Sequence, residues 1–85
     1  RRGSAEAIEA IAHGDRHSSQ VVGRMIEDIE LPPGTSIGAI VRGKDVIMIH
    51  HDTVVESEDH VILVVTDKRR VSEVERLFQV NVTFI

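Results

Sequence analysis

The sequence predicts a small α+β domain, on three observations. Two β-rich runs, TSIGAIVR at residues 35–42 and DVIMIH at residues 45–50, flank Gly43-Lys44, a connection short enough for a hairpin. A third run, residues 60–66, is almost wholly apolar, as expected of a strand central in its sheet or covered on both faces. On either side of these runs lie apolar residues at helical spacing: Val22, Met25, Ile26 and Ile29 before them, and Val71, Val74, Leu77 and Phe78 after them.

Taken in order, the first element is the ambiguous one. In AEAIEAIAH, residues 5–13, Ala and Glu favour a helix that Ser4 can cap, and Ile8 and Ile11 fall at helical spacing. As a strand the segment would set Ile8, Ala10 and Ala12 against Glu9, Ile11 and His13, an untidy alternation. Local propensity leans to helix. Gly14 and Asp15 break the pattern, after which Ser18 and Ser19 are placed to cap a short helix that buries Val22, Met25, Ile26 and Ile29. Leu31-Pro32-Pro33-Gly34 ends it, because proline lacks the amide proton and restricts its predecessor. The hairpin and the third strand follow. Asp67 then offers a cap for a last helix over about residues 69–78, with Glu73, Glu75 and Arg76 left to solvent. Lys68, Arg69 and Arg70 stand where the helix dipole disfavours positive charge, so they are either solvated or turned to an acidic partner. In the tail, residues 80–85, Val80, Val82 and Phe84 alternate as in an edge strand or a segment docked on a neighbouring chain.

Composition narrows the function. Eighty-five residues suffice for one domain with one core, and an aromatic content of 2% leaves that core to aliphatic side chains and gives bases nothing to stack on. A net charge of −4 carries no general attraction for phosphate backbones or anionic lipid, which argues against nucleic acid as a partner. Without cysteine there are no disulfides, thiolate nucleophiles or Cys-based zinc sites, in keeping with a reducing cytoplasm. The longest unbroken apolar run, residues 61–65, is far too short to span a bilayer, and Arg1-Arg2 is not followed by the apolar stretch of a secretory signal. Any service to a membrane is expected to pass through a partner.

The stretch IHHDTVVESEDH, residues 49–60, gathers three histidines and four carboxylates and raises the question of a metal site. A metal-responsive domain built on His50, His51, Asp52 and His60 is the alternative function to weigh. Adjacent His50 and His51 alternate faces if the strand continues, so spacing alone does not converge them on one ion, and a polar turn between strands explains the same residues. His13 and His17 have His-x-x-x-His spacing, but Gly14 and Asp15 between them argue against the helical turn that would align them. The serines sit at caps or turns with no triad motif around them, and Gly34, Gly38 and Gly43 form no phosphate loop. No catalytic residues are assigned, and the chain is expected not to be an enzyme.

Several segments, in order, resemble the C-terminal domain of the regulator-of-potassium-conductance family, as it occurs in the cytosolic regulatory subunits of bacterial Trk-type potassium uptake systems. The resemblance rests on EAIEAIAHG at residues 6–14, VVGRMIEDIELPPGTSIGAIVRG at 21–43, DTVVESEDHVILVVTD at 52–67 and VERLFQ at 74–79. It implies a strand for residues 6–12, overriding the local helix preference. The fold class it implies is α+β: a mainly antiparallel four-stranded sheet with two helices on one face, ordered strand-helix-strand-strand-strand-helix. The folded core would run over residues 5–79 and the tail over 80–85, all within one domain of a longer chain. Where the family places turn glycines, this sequence has His51 and Glu58, so the acids there read as turn and capping residues and the metal reading weakens.

The resemblance further implies a regulatory and ligand-binding module that forms a homodimer, with no cofactor of its own. Nucleotide binding would belong to Rossmann domains elsewhere in the full chain. The full protein would be cytoplasmic, held at the inner membrane by its Trk-type channel partner. Some relatives bind cyclic diadenylate between two such domains with apolar residues and a base just after the first helix. Here Glu30 stands at about the place of that base, and an acid repels phosphate. The same cleft, near Met25, Asp28, Ile29 and Ile37, is the candidate ligand site.

Overall fold

The computed structural model describes residues 5–80. Four strands, β1 (Glu6–Ala12), β2 (Thr35–Arg42), β3 (Asp45–Ile47) and β4 (Asp59–Val65), form one antiparallel sheet in the order β1-β4-β2-β3. The helix α1 (Val71–Leu77) follows a 3-10 turn at Lys68–Arg70. Asp67 caps that 3-10 turn, its carboxylate accepting the Arg69 amide at 3.0 Å, whereas α1 itself begins after Arg70 with no side-chain cap.

Residues 6–12 are a strand, paired with β4 from Glu6↔Val65 to Ala12↔Asp59. Burial of Ile8, Ala10 and Ala12 against β4 overrides the helix propensity of Ala and Glu. The β2–β3 hairpin closes through Gly43-Lys44, where Gly43 supplies a φ of +62°. In β2 a bulge at Gly38 shifts the register, so that Ile37 faces Leu63 and Ala39 faces Ile62. That slip lets both Ile37 and Ile40 join the core cluster.

The expectation of two helices is corrected. Among the described residues there is one α-helix; residues 18–29 instead make turns and a 3-10 turn at Ile26–Asp28. The backbone shows why. Gly23 adopts a φ of +82°, and the amides of Gly23, Ile26 and Glu27 donate across to the carbonyls of Val55, Thr53 and His51 instead of up a helix. The Ser19 hydroxyl caps as expected, accepting the amides of Val21 and Val22 at 3.0 Å, but it caps a turn. The side chains still go where the apolar spacing sent them: Val22 and Ile29 are buried. The order of elements is therefore strand, 3-10 turn, three strands, helix.

The core lies on one face of the sheet, where Val61, Leu63 and Val65 of β4 meet Val21, Val74 and Phe78. Of the tail, only Val80 falls within the described residues, so the strand or docking role expected of residues 81–85 lies outside them.

Candidate functional site

The four residues expected around a ligand do not share one environment. Met25 and Asp28 close the 3-10 turn, with the Asp28 amide donating to the Met25 carbonyl at 2.9 Å, and Met25 also bridges to Val54. Asp28 is exposed and Met25 half-buried. Ile29 is buried and Ile37 packs against the core from β2, so their side chains serve the interior. Asp28 instead lines a shallow groove of about 430 Å3 with Gln20, Arg24, Glu30 and Leu77. Gln20, Glu30 and Leu77 continue into a second groove with Pro32, Glu73 and Arg76 along α1. Across both, Arg24 and Arg76 stand against Asp28, Glu30 and Glu73, so the lining offers no excess of positive charge to a phosphate.

The histidines are drawn apart. His51 pairs through Nδ1 with Glu27 at 3.2 Å, His60 with Glu9 at 2.8 Å and His13 with Glu58 at 2.9 Å. At His50 the backbone amide donates to the Thr53 hydroxyl, which closes the turn there. Among the described residues, no three His, Asp or Glu side chains are placed to hold a metal ion. His13 and His17 are separated by a turn in which Asp15 accepts the amides of His17 and Ser18 and the Ser18 hydroxyl. Those hydrogen bonds hold the Asp15 carboxyl below its ordinary range.

One polar constellation escaped the sequence reading. Asp59, 1% exposed, receives a forked pair of hydrogen bonds from Arg42 Nε and Nη2, both 2.8 Å, and the Glu56 amide at 2.8 Å. Arg42 also donates to the Val54 carbonyl and pairs with Glu56 at 3.0 Å. Burial alone would raise the Asp59 carboxyl; the Arg42 fork and the Glu56 amide outweigh it and hold it below its ordinary value. The cluster ties the end of β2 to the loop entering β4. Its only linear signal was an acid before a strand, read as a capping residue. Beside it, Glu58 stands at a φ of +71°, in the left-handed region where the resemblance had placed a glycine.

With this geometry in view, the chain resembles known proteins in sequence and in fold. The Trk system potassium uptake protein TrkA of Halomonas elongata is 71% identical over 84 residues, covering 99% of this chain and 18% of that protein. Its counterpart from Vibrio alginolyticus is 59% identical over 85 residues, covering 100% of this chain and 19% of that protein. The chain thus spans under a fifth of these relatives' length. Among solved structures, the RCK_C domain dimer of S. agalactiae BusR in complex with c-di-AMP superposes with a TM-score of 0.68 at 24% identity, covering 85% of this chain and 93% of that one. At that identity the likeness shows the shared fold. The family profile of the TrkA-C domain matches residues 16–79, and on this match and the whole-chain identities the chain belongs to the TrkA-C domain family.

Proposed function

We propose that this chain is a non-catalytic regulatory domain that dimerises and, within a cytosolic Trk-type regulator, couples subunit conformation to the gating of a membrane potassium channel. The observation that carries the reading is 71% identity over 99% of this chain to the Trk system potassium uptake protein TrkA of Halomonas elongata. Among the described residues no helix is long and apolar enough to cross a membrane, which is consistent with action through a channel partner at the inner membrane. The nucleotide response would reside in Rossmann domains elsewhere in the full protein. This domain would transmit it by contacts that differ between two arrangements of the subunits.

For a small ligand, the site we favour is the one expected near Met25, Asp28, Ile29 and Ile37, of which Asp28 lines an open groove with Gln20, Arg24, Glu30 and Leu77. Cyclic diadenylate, which the BusR domain holds, fits poorly here because Glu30 and Asp28 are both exposed on this surface. The test is potassium uptake in cells lacking their own regulator, complemented with the full-length protein or with the same protein lacking residues 5–80. Uptake that loses its regulation in the truncated form supports the reading. Uptake and regulation identical in the two forms would refute it.

A further inference from the structure

Strand β1 stands at the edge of the sheet, and its free side is unfinished in two respects. The first is hydrogen bonding. Ala12 turns its carbonyl toward β4, where it accepts the Glu58 amide at 2.7 Å. Alternation along an antiparallel ladder then turns the amides of Ala7, Glu9 and Ile11 outward, and among the described residues no strand lies there to receive them. The second is packing. Val61 and Leu63 of β4 are fully buried, whereas Ala10 and Ile8, which stand opposite them on the same face, are only partly covered. An apolar flank is left open beside β1. Val80 stands next to it. A Cβ added to Gly14, two residues past the end of β1, would come within 3.2 and 3.4 Å of the Val80 methyl groups.

We propose that residues 81–85, NVTFI, pair antiparallel with the free edge of β1 in the same copy of the chain, as a fifth strand of the sheet. The segment is rich in β-branched and aromatic residues and, extended, reaches about 17 Å, enough to run back along most of β1. Setting Val80 opposite Gly14 fixes the register. Val82 then falls opposite Ala12 and Phe84 opposite Ala10, on the core face, since directly opposed residues share a face. The two alanines leave the room that Val82 and Phe84 fill. Thr83 and Ile85 fall opposite Ile11 and Glu9, two of the residues whose amides turn outward. The hydrophobic period and the hydrogen-bonding period thus agree in one register, and a slip of one residue breaks both. The donor is the same copy because Val80 is already seated at the end of β1, so the remaining closure is short and intramolecular. An edge covered in this way no longer offers itself to a foreign strand.

Amide hydrogen exchange, read residue by residue by NMR, tests this on the intact chain, on a chain ending at Val80 and on Thr83→Pro, which keeps the length but removes a ladder donor. The Glu9 and Ile11 amides are expected to exchange at least tenfold more slowly in the intact chain than in either variant. The amides of Ile8 and Ala10, turned to β4, should stay protected in all three and report that the sheet is folded. If the shortened chain does not fold, Thr83→Pro decides. Glu9 and Ile11 amides that exchange as fast in the intact chain as in the folded variant overturn the proposal. Protection that disappears on dilution also overturns it, because the strand would then come from a second copy.

Discussion

Asp59→Asn is expected to cost the domain about 3 kcal/mol, in the range found when one partner of a buried ion pair is removed. The carboxylate is 1% exposed and accepts from Arg42 Nε, Arg42 Nη2 and the Glu56 amide, each at 2.8 Å. An amide of the same shape keeps one acceptor oxygen and turns an NH2 toward a guanidinium that is itself all donor. Arg42 retains Glu56 and the Val54 carbonyl at its outer side, which keeps the estimate near the lower end of the range. For a domain of this size, ~3 kcal/mol corresponds to a fall in Tm of about 12–24 °C. Urea denaturation at neutral pH measures it. The sign with pH follows from the lowered carboxyl. Its stabilisation is complete above the ordinary value of 3.8 and is lost as pH falls through the lower folded value, so the wild-type advantage over Asp59→Asn should shrink in acid. A cost below about 1 kcal/mol, the size of an ordinary exposed pair, or an advantage that persists unchanged at the acid end, would refute the reasoning.

Three other outcomes are expected. The Asp67 carboxyl, held by the Arg69 side chain and amide, should titrate at about 2 by carbon NMR and return toward 3.8 in Arg69→Ala. Any stabilisation Asp67 provides is therefore present above 3.8 and fades as pH falls toward about 2. Gly34→Ala should destabilise by roughly 1–2 kcal/mol in thermal denaturation, since Gly34 has a φ of +75° and a Cβ there would meet Thr66 Oγ1. Ile26→Asp, which sets a carboxylate against the core, should cost about 3 kcal/mol in urea denaturation or prevent folding.

Where local pattern and tertiary context agree, the fold was legible in the chain. The β2–β3 hairpin, the apolar β4 and α1 each carry their own period and punctuation, and each appears where expected, though Asp67 caps the 3-10 turn before α1 and not α1 itself. The segment around Val22 to Ile29 shows where local pattern stops. Its apolar spacing correctly indicated burial, but the backbone partners of residues 23–27 lie in residues 51–55, and nothing local announces them. The strand at residues 6–12 was recovered only through the family resemblance, because its pairing with β4 is likewise remote. The candidate site fared similarly. Clustering of His50, His51 and His60 along the chain raised the question of one centre, whereas the fold hands His51 and His60 to different glutamates and uses the His50 amide to close a turn. Arg42 and Asp59 went unnoticed because only the closure of β2 onto β4 brings them together.

The position of β4 between β1 and β2 also dictates an order of assembly. The β2–β3 hairpin can form from near neighbours, and β4 can join it across a loop of moderate length, but β1 has no partner until β4 is in place. Glu6 must find Val65, 59 positions further along, so closing that last ladder carries the largest loop-entropy cost in the domain. During synthesis β1 emerges before the other strands of this domain and is the last of them to be used, and until then its Ile8 and Ile11 wait unpaired. Strand β1 is thus the piece that folds latest and, by the same connectivity, the piece whose ladder can open first without disturbing the hairpin.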